Sequence, residues 1–117
     1  MIVEDSWSEE IEMDPQDLLF YVSEALKAMG IEHRISTEPA ATPVGPILVR
    51  LVTTDRFRVA IYGSGKECRI EVGPISGQKE LIEQFIVELV SRMPKKPWNF
   101  LSKRRWIKAW PKLKELG

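Results

Sequence analysis

Hydrophobic residues recur every three or four positions in two stretches of the chain, which predicts two helices that each bury one face. The first stretch spans residues 14–29, with Asp14 and Pro15 suited to a helix start and Gly30 to its end. Its apolar positions are Leu18, Leu19, Val22, Ala25, Leu26 and Met29. The second stretch spans residues 77–92. Its core-facing positions are Leu81, Ile82, Phe85, Ile86, Leu89 and Val90.

Four shorter stretches between these helices are rich in β-branched residues or alternate apolar and polar residues, which is typical of half-buried strands. They are residues 31–37, 47–54, 57–62 and 68–72. Residues 38–46 contain three prolines and one glycine, so we expect a long loop there. The pattern predicts an α+β fold in two layers. Four strands form an antiparallel meander sheet with two helices on one face, in the order α-β-β-β-β-α.

The chain of 117 residues is long enough for one hydrophobic core. We therefore divide it into an acidic N-terminal arm (1–13), an α+β core domain (14–93) and a basic, Trp-rich C-terminal segment (94–117). In the arm, Trp7 and Ile11 are scattered among acidic residues, which suits a mobile arm or a short docked segment better than a core element.

The C-terminal segment has the spacing of a short basic amphipathic helix. Its large apolar residues fall within one arc of a helical wheel, and these are Phe100, Trp106, Ile107 and Trp110. Lys103 interrupts that arc, and Pro111 would end the helix. We expect this third helix to follow the core domain.

Composition places the chain among cytoplasmic globular proteins. Apolar residues make up 44% and charged residues 29%, and no apolar run approaches the roughly 20 residues that cross a membrane. Cys68 is the single cysteine, which agrees with a reducing compartment, and the acidic start of the chain does not resemble an export signal. Abundant Lys and Glu with little Asn and Gln favour a thermophilic source.

The net charge of zero conceals a strong asymmetry between the two ends of the chain. Residues 1–17 carry seven acidic side chains and no Lys or Arg, while residues 92–117 carry nine basic side chains and one acidic one. The two ends therefore have charges of −7 and +8. Such asymmetry indicates a charged partner, or ends that attract each other within one molecule or between two copies.

The residues that usually carry catalysis or bind metals are scarce. His33 and Cys68 are the only His and Cys, too few for a metal site, and an inward-facing thiol on a strand is a poor nucleophile. Residues 63–66, Gly-Ser-Gly-Lys, resemble the end of a phosphate-binding loop but lack its first glycine and its helix. A hairpin turn explains them better. We expect no enzyme activity, no cofactor, no metal and no small-molecule substrate.

The C-terminal segment combines cations with aromatic rings, the pairing that proteins use to bind RNA and single strands. The sequence therefore predicts a non-enzymatic module that binds nucleic acid, most directly RNA or a ribonucleoprotein. The residues expected to make contact are Lys95, Lys96, Trp98, Lys103, Arg104, Arg105, Trp106, Lys108, Trp110 and Lys112.

Two other interpretations of the same segment stay open. The Trp residues could instead pack on the sheet or on the second helix, because Trp is usually buried. The module would then serve protein interaction or assembly, acting as a homodimer. A basic amphipathic helix also suits an anionic membrane surface, but this one is short for that role and we do not expect membrane contact.

Overall fold

The computed structural model describes residues 6–43, 45–64 and 67–93, which form five antiparallel strands and two helices. In chain order the elements are β1 (Trp7–Ile11), α1 (Pro15–Ala28), β2 (Arg34–Thr42), β3 (Gly45–Thr53), β4 (Arg58–Ser64), β5 (Glu67–Gly73) and α2 (Lys79–Arg92). The predicted α+β class, the antiparallel sheet and the two helices of the core domain are confirmed. The predicted third helix lies outside the described residues.

The sheet has five strands rather than the predicted four, in the spatial order β1-β5-β4-β3-β2. Strands β2 to β5 form a meander, and β1 pairs with β5 at its edge. The N-terminal arm thus contributes a core strand. Trp7 lies opposite Val72 and Ile11 opposite Cys68, so both apolar side chains point inward and are 3% and 1% exposed. The free energy gained by burying these two side chains exceeds the cost of placing acidic residues between them in a strand.

The predicted loop at residues 38–46 is wrong, because β2 and β3 extend into this range and meet there in a short turn. Strand β2 begins at Arg34 and runs to Thr42, and β3 starts at Gly45. Pro39 is tolerated because β2 is an edge strand, where a missing N–H leaves no neighbouring strand unpaired. Pro43 lies in the short turn between the strands, a position that its fixed φ favours.

The first helix begins and ends as its sequence predicts. The Asp14 carboxylate accepts a hydrogen bond from the Gln16 backbone N–H at 2.7 Å, and Pro15 occupies the first helical position. The chain leaves the helix through Met29 and Gly30.

Both helices cover the same face of the sheet, and the core lies between them and the inward side chains of the strands. The Phe57 and Phe85 rings lie 5.5 Å apart and join the β3–β4 turn to α2. Ile82, Phe85, Ile86 and Leu89 are buried as predicted, whereas Leu81 and Val90 are only half-buried. The inward strand residues are Trp7, Ile11, Val52, Val59, Ile61, Cys68, Ile70 and Val72.

Two surfaces of the sheet are not covered by the helices. We call the side away from the helices the open face. Its central side chains are Val49, Leu51, Ala60 and Tyr62, all half-buried. On the helix side, the β2–β3 hairpin extends past α1 and leaves Ile35 48% and Leu48 60% exposed. We call this second surface the outer shelf.

No helix within the described ranges is long and apolar enough to span a bilayer.

Candidate functional site

Cys68 and His33 lie far apart and do not form a nucleophile and base. Cys68 is on β5 and His33 precedes β2, and β3 and β4 lie between these strands. Burial raises the pKa of the Cys68 thiol to about 12, and the nearby Asp14 charge adds to this effect. The thiol is therefore protonated at neutral pH and unreactive. The sequence analysis gave the same interpretation of an inward-facing cysteine.

The His33 ring holds α1 to the start of β2. Its Nε2 lies 2.9 Å from the Ser23 hydroxyl oxygen and its Nδ1 lies 3.1 Å from the Ile31 carbonyl oxygen. Because the carbonyl can only accept, Nδ1 carries a proton and donates it there. No group of three or more His, Cys, Asp or Glu side chains within the described ranges could hold a metal ion.

Gly63 and Ser64 end β4 and pair with the start of β5, in agreement with the hairpin that the sequence predicts. Ser64 pairs with Glu67 at the end of the ladder, and the chain continues into β5 rather than into a helix. The arrangement therefore lacks the helix N-terminus that a phosphate-binding loop provides. Residues 65 and 66 themselves lie outside the described residues.

The described ranges hold eight Lys and Arg side chains, and four of them have an acidic or amide partner. The pairs are Lys27 with Glu24 at 3.4 Å, Arg50 with Gln16 at 3.1 Å, Arg69 with Glu10 at 3.8 Å, and Arg92 with Glu88. These contacts occupy Lys27 on α1, Arg92 at the end of α2, and Arg50 and Arg69 on the sheet.

The four remaining cations, Arg34, Arg56, Arg58 and Lys79, make no side-chain ion pair or hydrogen bond within the described ranges. All four lie at one end of the sheet, where β2 begins, β3 turns into β4 and α2 begins. Arg34 and Arg56 line one cleft, and Arg56 and Lys79 line the adjoining one. Cations without partners are thus concentrated in one region.

Two of these arginines lie side by side on the open face. Arg34 of β2 is the register partner of Thr53 on β3, and Thr53 is the partner of Arg58 on β4. Neighbouring strands lie about 4.8 Å apart, so the two Arg backbones are separated by about 10 Å with a hydroxyl between them. We call Arg34, Thr53 and Arg58 the arginine row. It presents two forked donors and one hydroxyl to the same side.

Arg56 extends the arginine row at its end, on a turn that is held by one buried side chain. The Thr54 hydroxyl donates a hydrogen bond to the Phe57 carbonyl at 2.8 Å. It also accepts hydrogen bonds from the backbone N–H groups of Arg56 and Phe57, at 3.1 and 2.9 Å. The backbone that carries Arg56 is therefore fixed before any ligand arrives.

Negative charge limits which anions this end of the sheet can attract. Glu32 and Asp55 line the same cleft as Arg34 and Arg56, and the described ranges together carry a net charge of −6. Long-range attraction of a polyanion to this part of the chain is therefore weak. A ligand must gain its affinity from close contacts with the guanidinium groups.

The ten residues predicted to bind nucleic acid, from Lys95 to Lys112, all lie outside the described residues, so their role stays a prediction. The arginine row was not found from the sequence. Arg34 and Arg58 occupy ordinary polar positions of alternating strands, 24 residues apart, and only the pairing register brings them to the same site.

No protein-family model, curated protein or solved structure matches this chain.

Proposed function

We propose that this chain is a non-enzymatic binding module for nucleic acid, with the arginine row as one contact site and the basic C-terminal segment as the other. The observation that carries the proposal is the gathering of all partnerless cations of the described ranges at one end of the sheet. Cations that have no partner in the free protein give up no internal contact when a phosphate binds, so their charge-assisted hydrogen bonds to the phosphate add directly to affinity.

Arginine suits a phosphate ligand better than a simple point charge would. Its planar fork donates two parallel hydrogen bonds to phosphate oxygens, and Thr53 between Arg34 and Arg58 offers a further donor. The residues from 94 to 117 carry a net charge of +7 and supply the long-range attraction that the described part of the chain, at −6, lacks.

Binding titrations on the full chain test this proposal. Fluorescently labelled single-stranded RNA and duplex DNA are titrated at two salt concentrations, with anionic vesicles as a third probe. Arg34→Gln/Arg58→Gln should weaken RNA binding and flatten its salt dependence, by a slope of about 0.7–0.9 for each phosphate that the protein no longer neutralises. The matched control is Arg69→Gln/Arg92→Gln, which removes the same charge from two cations that already have partners.

A separate variant tests the C-terminal segment. Arg104→Glu/Arg105→Glu/Lys108→Glu reverses the charge of the predicted contact residues and should abolish RNA binding. Equal losses of affinity in the arginine-row variant and its control would contradict a specific site there. Binding to vesicles but not to RNA would replace nucleic acid by a membrane surface as the partner.

A second candidate function, assembly as a homodimer, is favoured by the outer shelf. Phe20 of α1 is 58% exposed and lies between Gln16, which contacts Arg50 of β3, and Ser23, which contacts His33 just before β2. Ile35 and Leu48, on the helix side of the hairpin, are 48% and 60% exposed. The helix-side positions of the shelf are Ile35, Thr37, Pro39, Ala41, Pro46 and Leu48.

None of these shelf positions is charged, so two copies can meet there about a two-fold axis without opposing like charges. Sedimentation at several concentrations tests this candidate. Leu48→Asp should shift the protein to monomer. Val87→Asp changes a residue on α2 that is 53% exposed, close to the 60% of Leu48, and should leave the mass unchanged. A monomer at all concentrations in the unmodified protein would exclude this candidate.

A further inference from the structure

We infer that the open face of the sheet is a docking surface for the chain's own residues 98–110. This inference concerns how the chain completes its fold, and it holds whether or not the arginine row binds nucleic acid. Three independent features of the described residues support it: apolar side chains on the open face, an excess of acids on it, and the direction in which α2 ends.

The centre of the open face is apolar although no element in the described ranges covers it. Val49 and Leu51 of β3 lie beside Tyr62 and Ala60 of β4, in two adjacent cross-strand rows. A sheet whose second side faces water normally carries polar residues there. Four apolar or aromatic neighbours at the centre of this face are instead typical of a surface that packs against another segment.

Acidic side chains flank this apolar centre on the side away from the arginine row, which we call the acidic end. Glu10, Glu38 and Arg69 lie in the same cross-strand row as Val49 and Tyr62. Glu71 lies beside Ala60 in the next row, and Glu67 lies beyond the centre at the end of the described β4–β5 ladder. The arginine row lies at the other end of the same face. An occupant with large apolar groups and positive charge is therefore favoured at the acidic end.

Residues 98–110 have that composition. They contain three Trp and one Phe together with four basic side chains, and they hold no acidic residue. The larger stretch from residue 94 to the end has a charge of +7, which nearly balances the −6 of the described part. Burying Trp rings on an apolar surface is favourable by about 25 cal/mol for each Å² removed from water.

The direction of α2 brings the chain toward the acidic end. The last turn of α1 and the first turn of α2 line the same cleft, through Lys27 and Leu81, and the helices pack together, so they run antiparallel. Helix α2 therefore runs about 21 Å away from the arginine row before it ends at Arg92. Residues 94–97 can span roughly 13 Å when extended, and residue 98 therefore need not lie next to the end of α2.

Two adjacent residues of β3 provide a matched test. Val49 points to the open face, whereas Leu48 points to the helix side. The full chain is prepared with Trp7→Phe, so that all tryptophan emission comes from Trp98, Trp106 and Trp110. Acrylamide quenching of that emission should be weak. Adding Val49→Asp should raise quenching toward that of free tryptophan, and adding Leu48→Asp should not.

Ala60→Arg provides a second open-face variant, which adds bulk and positive charge at the centre of the surface without removing a large apolar side chain. Circular dichroism identifies any variant that fails to fold. Quenching of Trp emission is also measured in the chain without any substitution. Strong quenching in the Trp7→Phe protein, or equal quenching after adding Val49→Asp and after adding Leu48→Asp, would overturn the inference. So would quenching that depends on protein concentration, because that result places the segment on a second copy.

The test separates this inference from the proposed function. Loss of RNA binding in the arginine-row variant leaves the quenching of Trp emission unchanged. Conversely, if residues 98–110 do not dock on the open face, Arg34→Gln/Arg58→Gln should still weaken RNA binding.

Discussion

The Thr54 hydroxyl closes the β3–β4 turn by bonding both backbone groups of Phe57, donating to its carbonyl at 2.8 Å and accepting from its N–H at 2.9 Å. Thr54 is the one buried polar side chain in the described core. Thr54→Val keeps the shape but removes the hydroxyl, so the buried N–H of Phe57 loses its acceptor. We expect a loss of about 1–3 kcal/mol in the free energy of unfolding, measured by urea denaturation.

Thr54→Ser is the matched control for this prediction. It keeps the hydroxyl and removes only a methyl group, so it should retain most of the stability. If the valine variant were as stable as the serine variant, the turn would be held by its remaining backbone bond from Thr54 to Phe57 and not by the side chain.

Gly63 is required by close contact as well as by backbone conformation. A Cβ atom at this position would lie 2.6 Å from the Glu67 carbonyl oxygen and 2.7 Å from the Cys68 Cα, and its φ is +143°. Gly63→Ala should therefore separate β4 from β5 and lower the free energy of unfolding by more than about 1–2 kcal/mol, which thermal unfolding would measure. Gly30→Ala has a positive φ but no neighbouring atom within 4 Å, so it measures the cost of the conformation alone. If Gly63→Ala and Gly30→Ala were equally destabilising, the backbone around residue 63 would have moved to accommodate the added Cβ atom, and the close contact would not be what requires glycine there.

The buried thiol of Cys68 makes stability depend on alkaline pH. Its ordinary pKa is 9.0, and burial in the folded protein raises the pKa to about 12. The folded state keeps the proton that the unfolded chain releases above pH 9, so this contribution is full below pH 9 and is lost as the pH rises to 12.

Denaturation of the unmodified protein should accordingly show stability falling between pH 9 and 12, on the order of 1 kcal/mol for each pH unit. Cys68→Ala removes the titrating group and should show a flatter profile. Burial and the charge of Glu71 also raise the pKa of Tyr62, which leaves some slope above pH 10 in both proteins. Parallel profiles for the two proteins would contradict the burial of the thiol.

The sequence predicts correctly those helices and strands that are determined by neighbouring residues along the chain. Asp14, Pro15 and Gly30 set the limits of α1, and alternation identified the inward side of β4 and β5. Strands β2 and β3 were predicted, but their extension into residues 38–46 was missed because three prolines normally indicate a loop. The tolerance of proline at a sheet edge depends on which strand lies outside.

The candidate site could not be predicted for a related reason. The arginine row depends on the pairing register of three strands, and the sequence specifies that register only through the buried face as a whole. In the acidic arm, the sequence contained the strand signal but it was not used. Trp7 and Ile11 have the spacing of inward positions on a strand, but the acidic residues around them favoured the interpretation as a solvated arm.

The N-terminal strand supplies the last prediction. Trp7 packs inward against β5 and is almost fully buried, while Glu10 in the same strand lies on the open face and pairs with Arg69 at 3.8 Å. Trp7→Ala should cost about 3–5 kcal/mol, because it removes a large side chain from the core. Glu10→Gln breaks an exposed ion pair and should cost less than about 1 kcal/mol.

Urea denaturation followed by far-ultraviolet circular dichroism measures both variants without depending on the Trp signal. Sedimentation adds a second measurement: if β1 detaches, the outer edge of β5 is left unpaired, and such edges promote association. Trp7→Ala should therefore aggregate more readily than Glu10→Gln at equal concentration. If the two variants were equally stable, β1 would contribute little to the core, and residues 1–13 would act as the solvated acidic arm that their charge suggests.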